Sequence, residues 1–210
     1  MHAYDEEYLP YAKDCLGTML DYAVNTCGIG ARAFYIRFLA SGTSRMFAMG
    51  HPMFLVGMAG SDVAQRVLEK TGWTRELPPF RFNGYTPEYW AGWALAHFQW
   101  HSGLSFQVID SYGLPIEDII SLYNPLHEAD ISKFLDIAQK RIRLPENPLK
   151  ERRKSSGLTQ AALAQKADVP LRLIRAYEQG SVKLSHAESG TALRLARALG
   201  CRVEEIVESL

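Results

Sequence analysis

Cysteine is scarce and badly placed for either of its structural uses. Cys15, Cys27 and Cys201 are odd in number and form no CxxC pair, which argues against both a disulfide framework and a zinc knuckle. Long apolar runs are missing as well: charge or glycine interrupts each one well before membrane-spanning length. The amino terminus, MHAYDEEYLP, is acidic and lacks a basic-then-apolar leader, so a soluble, cytoplasmic chain is expected. There is no excess of either sign of charge, because 23 Lys and Arg balance 23 Asp and Glu. GxSxG, a phosphate-cradling glycine loop and a DxD-like carboxylate pair are all absent, which removes the commonest signatures of acyl and phosphoryl transfer. No two alternating stretches are joined by a turn signal, so paired strands are not expected.

Helical signals fill the first two-thirds of the chain. Apolar residues recur at three- and four-residue spacing from Tyr8 to Cys27, where Gly28 and Gly30 stop the pattern, and again from Ala33 to Leu39. The stretch GSDVAQRVLEKTGW predicts a helix capped by Ser61 and stopped by Gly72. In YTPEYWAGWALAHFQWHSG, Thr86 is the expected N-cap, Pro87 the first helical residue and Gly103 the end. Three shorter amphipathic segments follow: FQVID, PIEDIISLY and EADISKFLDIAQKRI. An all-α domain over residues 1–144 is the economical reading.

Within that domain His97 and His101 lie four apart on one helix face, a spacing that can present two imidazoles to a metal. Phe98 stands where an HExxH motif would place its glutamate, and a third ligand would have to come from His127, Glu128 or another distant residue. Trp90, Trp93, His97 and His101 form one stripe, so histidines packed in an aromatic layer are preferred over a metal site. The aromatic density between Phe80 and Phe106 is read first as core, and second as a groove for a protein or small ligand.

The balanced charge hides an asymmetry. Residues 1–140 hold 10 Lys and Arg against 15 Asp and Glu, whereas residues 141–210 hold 13 against 8. The halves therefore carry −5 and +5 and suit different partners. Pro145 and Pro148 flank Glu146 and Asn147 and break the helical pattern, marking a short linker before a second domain at 145–210. Asn147 is the expected N-cap of the helix that starts at Pro148. Lys150, Arg152, Arg153, Lys154, Lys166, Arg172 and Arg175 then cluster, as a polyanion-binding surface would require.

The stretch LTQAALAQKADVPLRLIRAYEQG reads as two short helices meeting at a tight turn. Thr159 caps the first, with Leu163, Ala164 and Ala167 on its inward face. The turn runs through Asp168 and Val169, and Pro170 starts the second helix. Ile174 and Tyr177 point inward there, leaving Leu171, Arg172, Arg175 and Ala176 outward. Ala164 supplies the small side chain that two steeply crossing helices need at their contact. The outward face of the second helix suits a DNA major groove, whose width matches one helix.

Residues 149–208 resemble the phage-repressor (Cro, XRE) family of helix-turn-helix domains. LTQAALAQKADVP, IRAYEQG and ALRLARALGCRVEEIVE follow that family's order, over about a third of the chain. The resemblance implies a five-helix, lambda-repressor-like DNA-binding domain. Gln160, beside Thr159, would bond phosphate through side chain and backbone amide. Leu171, Arg172 and Ala176 occupy positions that touch base edges, with Arg172 able to read guanine bidentately. Arg175 and Lys166 would add cationic contacts, and Arg153 and Glu178 match a pair that forms a structural salt bridge. Three departures stand out: Pro170 for a capping Ser or Thr, Asp168 for the turn glycine, and a longer segment, SVKLSHAESG, after Gly180.

A DNA-binding transcription regulator without a cofactor, a repressor acting as a homodimer on double-stranded DNA, is the expected function. Two half-sites are implied because one module contacts few base pairs. The acidic domain is then the place for dimerisation, sensing or a protein partner. The whole chain also resembles bacterial regulators encoded beside small toxins, which implies an autoregulating antitoxin. The rival reading is a metal-dependent enzyme using His97, His101 and His127.

Overall fold

The computed structural model describes residues 2–81, 84–201 and 203–207. It is helical, with no strand among the described residues. The chain separates into two compact units, Met1–Arg143 and Leu144–Leu210, with the break one residue before the expected position.

Among the described residues the first unit contains ten α-helices: α1 (Leu9–Asp21), α2 (Ala31–Ala40), α3 (Thr43–Ala48), α4 (Pro52–Leu55), α5 (Gly60–Lys70), α6 (Pro87–Ser102), α7 (Phe106–Ser111), α8 (Ile116–Ser121), α9 (Tyr123–Leu126) and α10 (Ile131–Arg141). A π-helical turn, Tyr22–Thr26, extends α1. Helix α1 forms the centre, burying Ala12, Cys15, Leu16, Met19 and Leu20. It lies against α6 at backbone distance. A Cβ on Gly92 would sit 2.9 Å from the Gly17 Cα, and one on Gly17 would sit 2.9 Å from the Tyr89 carbonyl oxygen. Only glycine permits that approach.

The same central helix decides where α5 begins. Ser61 was expected to cap it, yet the N-cap is Ala59 with no side-chain bond, and Ser61 lies buried inside the helix. The cause is tertiary: a Cβ on Gly60 would come within 2.7 Å of the Met19 amide nitrogen, so the helix start is pressed onto α1. At α6 the local signals hold, because Thr86 Oγ1 accepts from the Tyr89 amide at 3.0 Å and Pro87 opens the helix. Helices α3, α4 and α9 span six residues or fewer, too short to show a period in the sequence.

The second unit holds α11 (Pro148–Ser155), α12 (Gln160–Ala167), α13 (Leu171–Glu178) and α14 (Ser189–Leu199). Single 3-10 turns at Leu184–His186 and Val203–Glu205 complete it, the latter as its fifth main element. Leu149, Leu163, Ile174, Leu184, Leu195 and Ile206 are at most 1% exposed and form its core. Asn147 Oδ1 caps α11 by accepting from the Lys150 amide at 2.8 Å.

Candidate nucleic-acid interface

Helices α12 and α13 meet at a turn whose backbone is unusual at one residue. Asp168 has φ 51° and ψ 50°, the only positive φ outside glycine among the described residues. Short polar side chains tolerate this left-handed conformation better than branched ones, so the chain reverses here without glycine. Val169, next in line, is buried, and Pro170 precedes α13 without a side-chain cap. The first amides of α13 therefore have no side-chain acceptor at the cap.

Ile174 and Tyr177 of α13 face the core, packing with Leu163 and Ala167 of α12. That burial orients the opposite stripe. Arg172 and Arg175 are exposed, and Leu171 and Ala176 are half-buried beside them. The spacing of 171, 172, 175 and 176 places all four on one face of the helix. Gln179, exposed just past the helix end, continues that stripe and was not singled out by sequence.

The carboxy-terminal end of α13 is clamped. Arg153 Nε donates to Glu178 Oε1 at 2.5 Å and Arg153 Nη2 to Glu178 Oε2 at 2.8 Å, a bidentate pair. Arg153 Nη1 also donates to the Leu158 carbonyl at 2.7 Å. Gln160 Nε2 joins by donating to Glu178 Oε2 at 2.8 Å. Burial alone would raise the Glu178 pKa, but the bonds from Arg153 and Gln160, with the charges of Arg153 and Lys150, hold it below the ordinary carboxylate value. In turn the bond to Glu178 raises the pKa of Arg153. Asn147 adds a second tie, its Nδ2 donating to the Tyr177 carbonyl at 2.7 Å.

Thr159, Gln160 and Lys166 are less uniform. Thr159 Oγ1 accepts from the Ala162 amide at 3.0 Å and so caps α12. Gln160, half-buried at the first helical position, has one amide hydrogen turned to Glu178, leaving the other and its backbone N–H. Lys166 is exposed in the last turn, about 9 Å along the axis from Gln160 at 1.5 Å per residue. The structure thus joins Gln160 to the Arg153–Glu178 pair and sets Lys166 at the opposite end of α12. The link from Gln160 to Glu178 spans 18 residues and has no periodic signal.

His97 and His101 share one neighbourhood with His2 and Trp100, whereas His127 packs on Tyr123. His97 lies edge-on to Trp93 and Trp100, at centroid distances of 6.1 and 5.9 Å. Burial, then the charges of Lys13, His101 and His2, lower its pKa to about 4 against a small opposing effect of Asp130. His101 Nε2 contacts Gln139 Nε2 at 3.1 Å. His127 stacks on Tyr123 at 4.4 Å, with its Nδ1 3.0 Å from the Tyr123 carbonyl oxygen. Among the described residues, no three His, Cys, Asp or Glu side chains form a group that could hold a metal ion. The aromatic stretch divides between the two readings: Phe98, Trp100 and Phe106 are buried, while Tyr89, Trp90 and Trp93 are only half-buried.

Comparison with known proteins agrees with the second unit. The helix-turn-helix family matches residues 149–206, spanning α11 to the final 3-10 turn. The match covers the second unit alone, where it shows a helix-turn-helix module, and it supports a DNA-binding regulator of the XRE type. No curated protein and no solved structure matches the chain. Among the described residues, no helix is long and apolar enough to cross a membrane.

Proposed function

We propose that this protein is a sequence-specific repressor that binds a two-fold operator as a homodimer. The observation that carries the reading is the stripe of exposed Arg172 and Arg175 flanked by half-buried Leu171 and Ala176, presented by a helix whose far end is clamped at Glu178. Arg172 reads a guanine edge, Leu171 and Ala176 pack on thymine methyls, and Arg175 contacts base or phosphate. The free amide hydrogen and backbone N–H of Gln160, at the positive end of α12 beside Thr159, bind phosphate. Lys166 contributes charge without readout.

The protein is further proposed to be the autoregulating antitoxin of a toxin–antitoxin operon, with the first unit binding the toxin. Exposed apolar side chains on that unit support this reading: Met49 is 66% exposed, Met53 43% and Val56 48%. Co-purification with the product of the adjacent gene tests it, and failure to bind that product removes it.

The test of the repressor reading is binding to a labelled fragment of the gene's own upstream region at two salt concentrations. Arg172→Ala is expected to weaken specific binding by about 1–3 kcal/mol, roughly five- to 150-fold. Lys166→Ala is expected to weaken all sequences alike and to lower the salt slope by about one. Equal affinity of the wild type for operator and random DNA would refute the assignment.

A further inference from the structure

Between the outer face of α6 and the segment carrying α9 and α10 lies a pocket of about 560 Å³. Its walls are Tyr85, Tyr89, Trp90, Trp93, Tyr123 and His127, with Phe134 and Leu126 more deeply buried. That volume suits a small organic ligand. Neither Lys nor Arg is among its lining residues, so the walls offer no fixed positive charge to an anion.

Two wall residues contact carboxylates. Tyr89 Oη donates to Asp14 Oδ1 at 2.8 Å, and His127 Nε2 lies 3.6 Å from Glu128 Oε1. A phenol that donates to a carboxylate has a more electron-rich ring, which strengthens the attraction of its face for a positive charge. Tyr123 is polarised similarly, donating its hydroxyl to the Tyr85 carbonyl at 3.2 Å. The rings also adopt differing orientations. Trp90 meets Tyr123 at 73° and Phe134 at 75°, while His127 stacks on Tyr123 at 19°, giving a corner rather than a parallel slot. One wall already receives a cation, since Lys13 Nζ lies 4.5 Å from the Trp93 ring centre.

We propose that this pocket binds an organic cation, an alkylated ammonium carried on an apolar or aromatic body. Aromatic faces replace water around such a diffuse charge, and the Tyr89 hydroxyl bonded to Asp14 makes one of those faces more electron-rich. The site is independent of the DNA-binding reading, because every residue in it belongs to the first unit.

The test uses the full chain and isothermal calorimetry with three probes. Choline and its uncharged isostere 3,3-dimethylbutan-1-ol share a shape and differ in charge. Benzyltrimethylammonium adds a ring that uses more of the volume. Benzyltrimethylammonium is expected to bind tighter than choline, and choline about tenfold or more tighter than the alcohol, as a desolvated cation–aromatic contact requires. Tyr85→Ala, at a side chain 71% exposed, is expected to weaken the cations several-fold with the helical circular dichroism unchanged. Trp90→Leu is expected to weaken them further. Equal binding of alcohol and choline, no binding of any probe, or cation binding unaffected by both substitutions would each overturn the proposal. Operator binding, measured separately, remains unaffected by any of these results.

Discussion

Glu178 lies at the end of α13, where the helix's partial negative charge and burial both disfavour a carboxylate. Arg153 removes that conflict, so Arg153→Ala leaves a buried charge without its main partner. A loss of about 3 kcal/mol is expected in the second unit, read as lower thermal stability. Replacing both, as Arg153→Met with Glu178→Leu, is expected to restore most of it, because the desolvation cost goes with the charges. The pH dependence follows from the depressed Glu178 pKa. Its contribution is present above the ordinary value of 4.5 and is lost as pH falls through the folded-state value. His97 acts in a higher window. Its pKa falls from 6.5 to about 4 on folding, so between those values the unfolded chain binds more protons. Stability of the first unit therefore declines as pH drops from 6.5 towards 4, and His97→Gln is expected to flatten that part of a pH-dependent denaturation series.

At the level of elements, the helix starts that can be read in the sequence are those whose cap and first turn lie within four residues. Thr86–Pro87, Asn147–Pro148 and Thr159 all form side-chain caps to a backbone amide. Ser61 had the same local look and failed, since contact with α1 outweighed a single capping bond. The glycines of α1 and α6 were silent in the sequence because nothing local distinguishes a close-packing glycine from a weak helix former. Gly92→Ala is expected to force the two helices apart and to destabilise the first unit by about 1–3 kcal/mol, measurable by denaturant unfolding. The outward stripe of α13 was legible for the opposite reason: once Ile174 and Tyr177 are apolar at three-residue spacing, the remaining positions have only one side left.

For the whole molecule, the charge division of −5 over residues 1–140 and +5 over 141–210 falls three residues before the structural division at Arg143, across which the two units carry −3 and +3. A dimeric repressor makes a stoichiometric prediction at this scale. Sedimentation of the full chain is expected to give twice 23.6 kDa, and removal of one operator half-site to abolish tight binding. A monomer that binds a half-site as tightly as the complete operator would contradict it. The sequence by itself determined the helical class and the helix-turn-helix order. Each follows from periodicity, capping or turn chemistry acting over a few residues. Only the tertiary structure decided that small residues of α6 face α1 while Trp90 and Trp93 turn towards a pocket, and that Gln160 shares Glu178 with Arg153. Those outcomes depend on which surfaces meet, and helices distant in sequence settle that through close packing and the burial of charge.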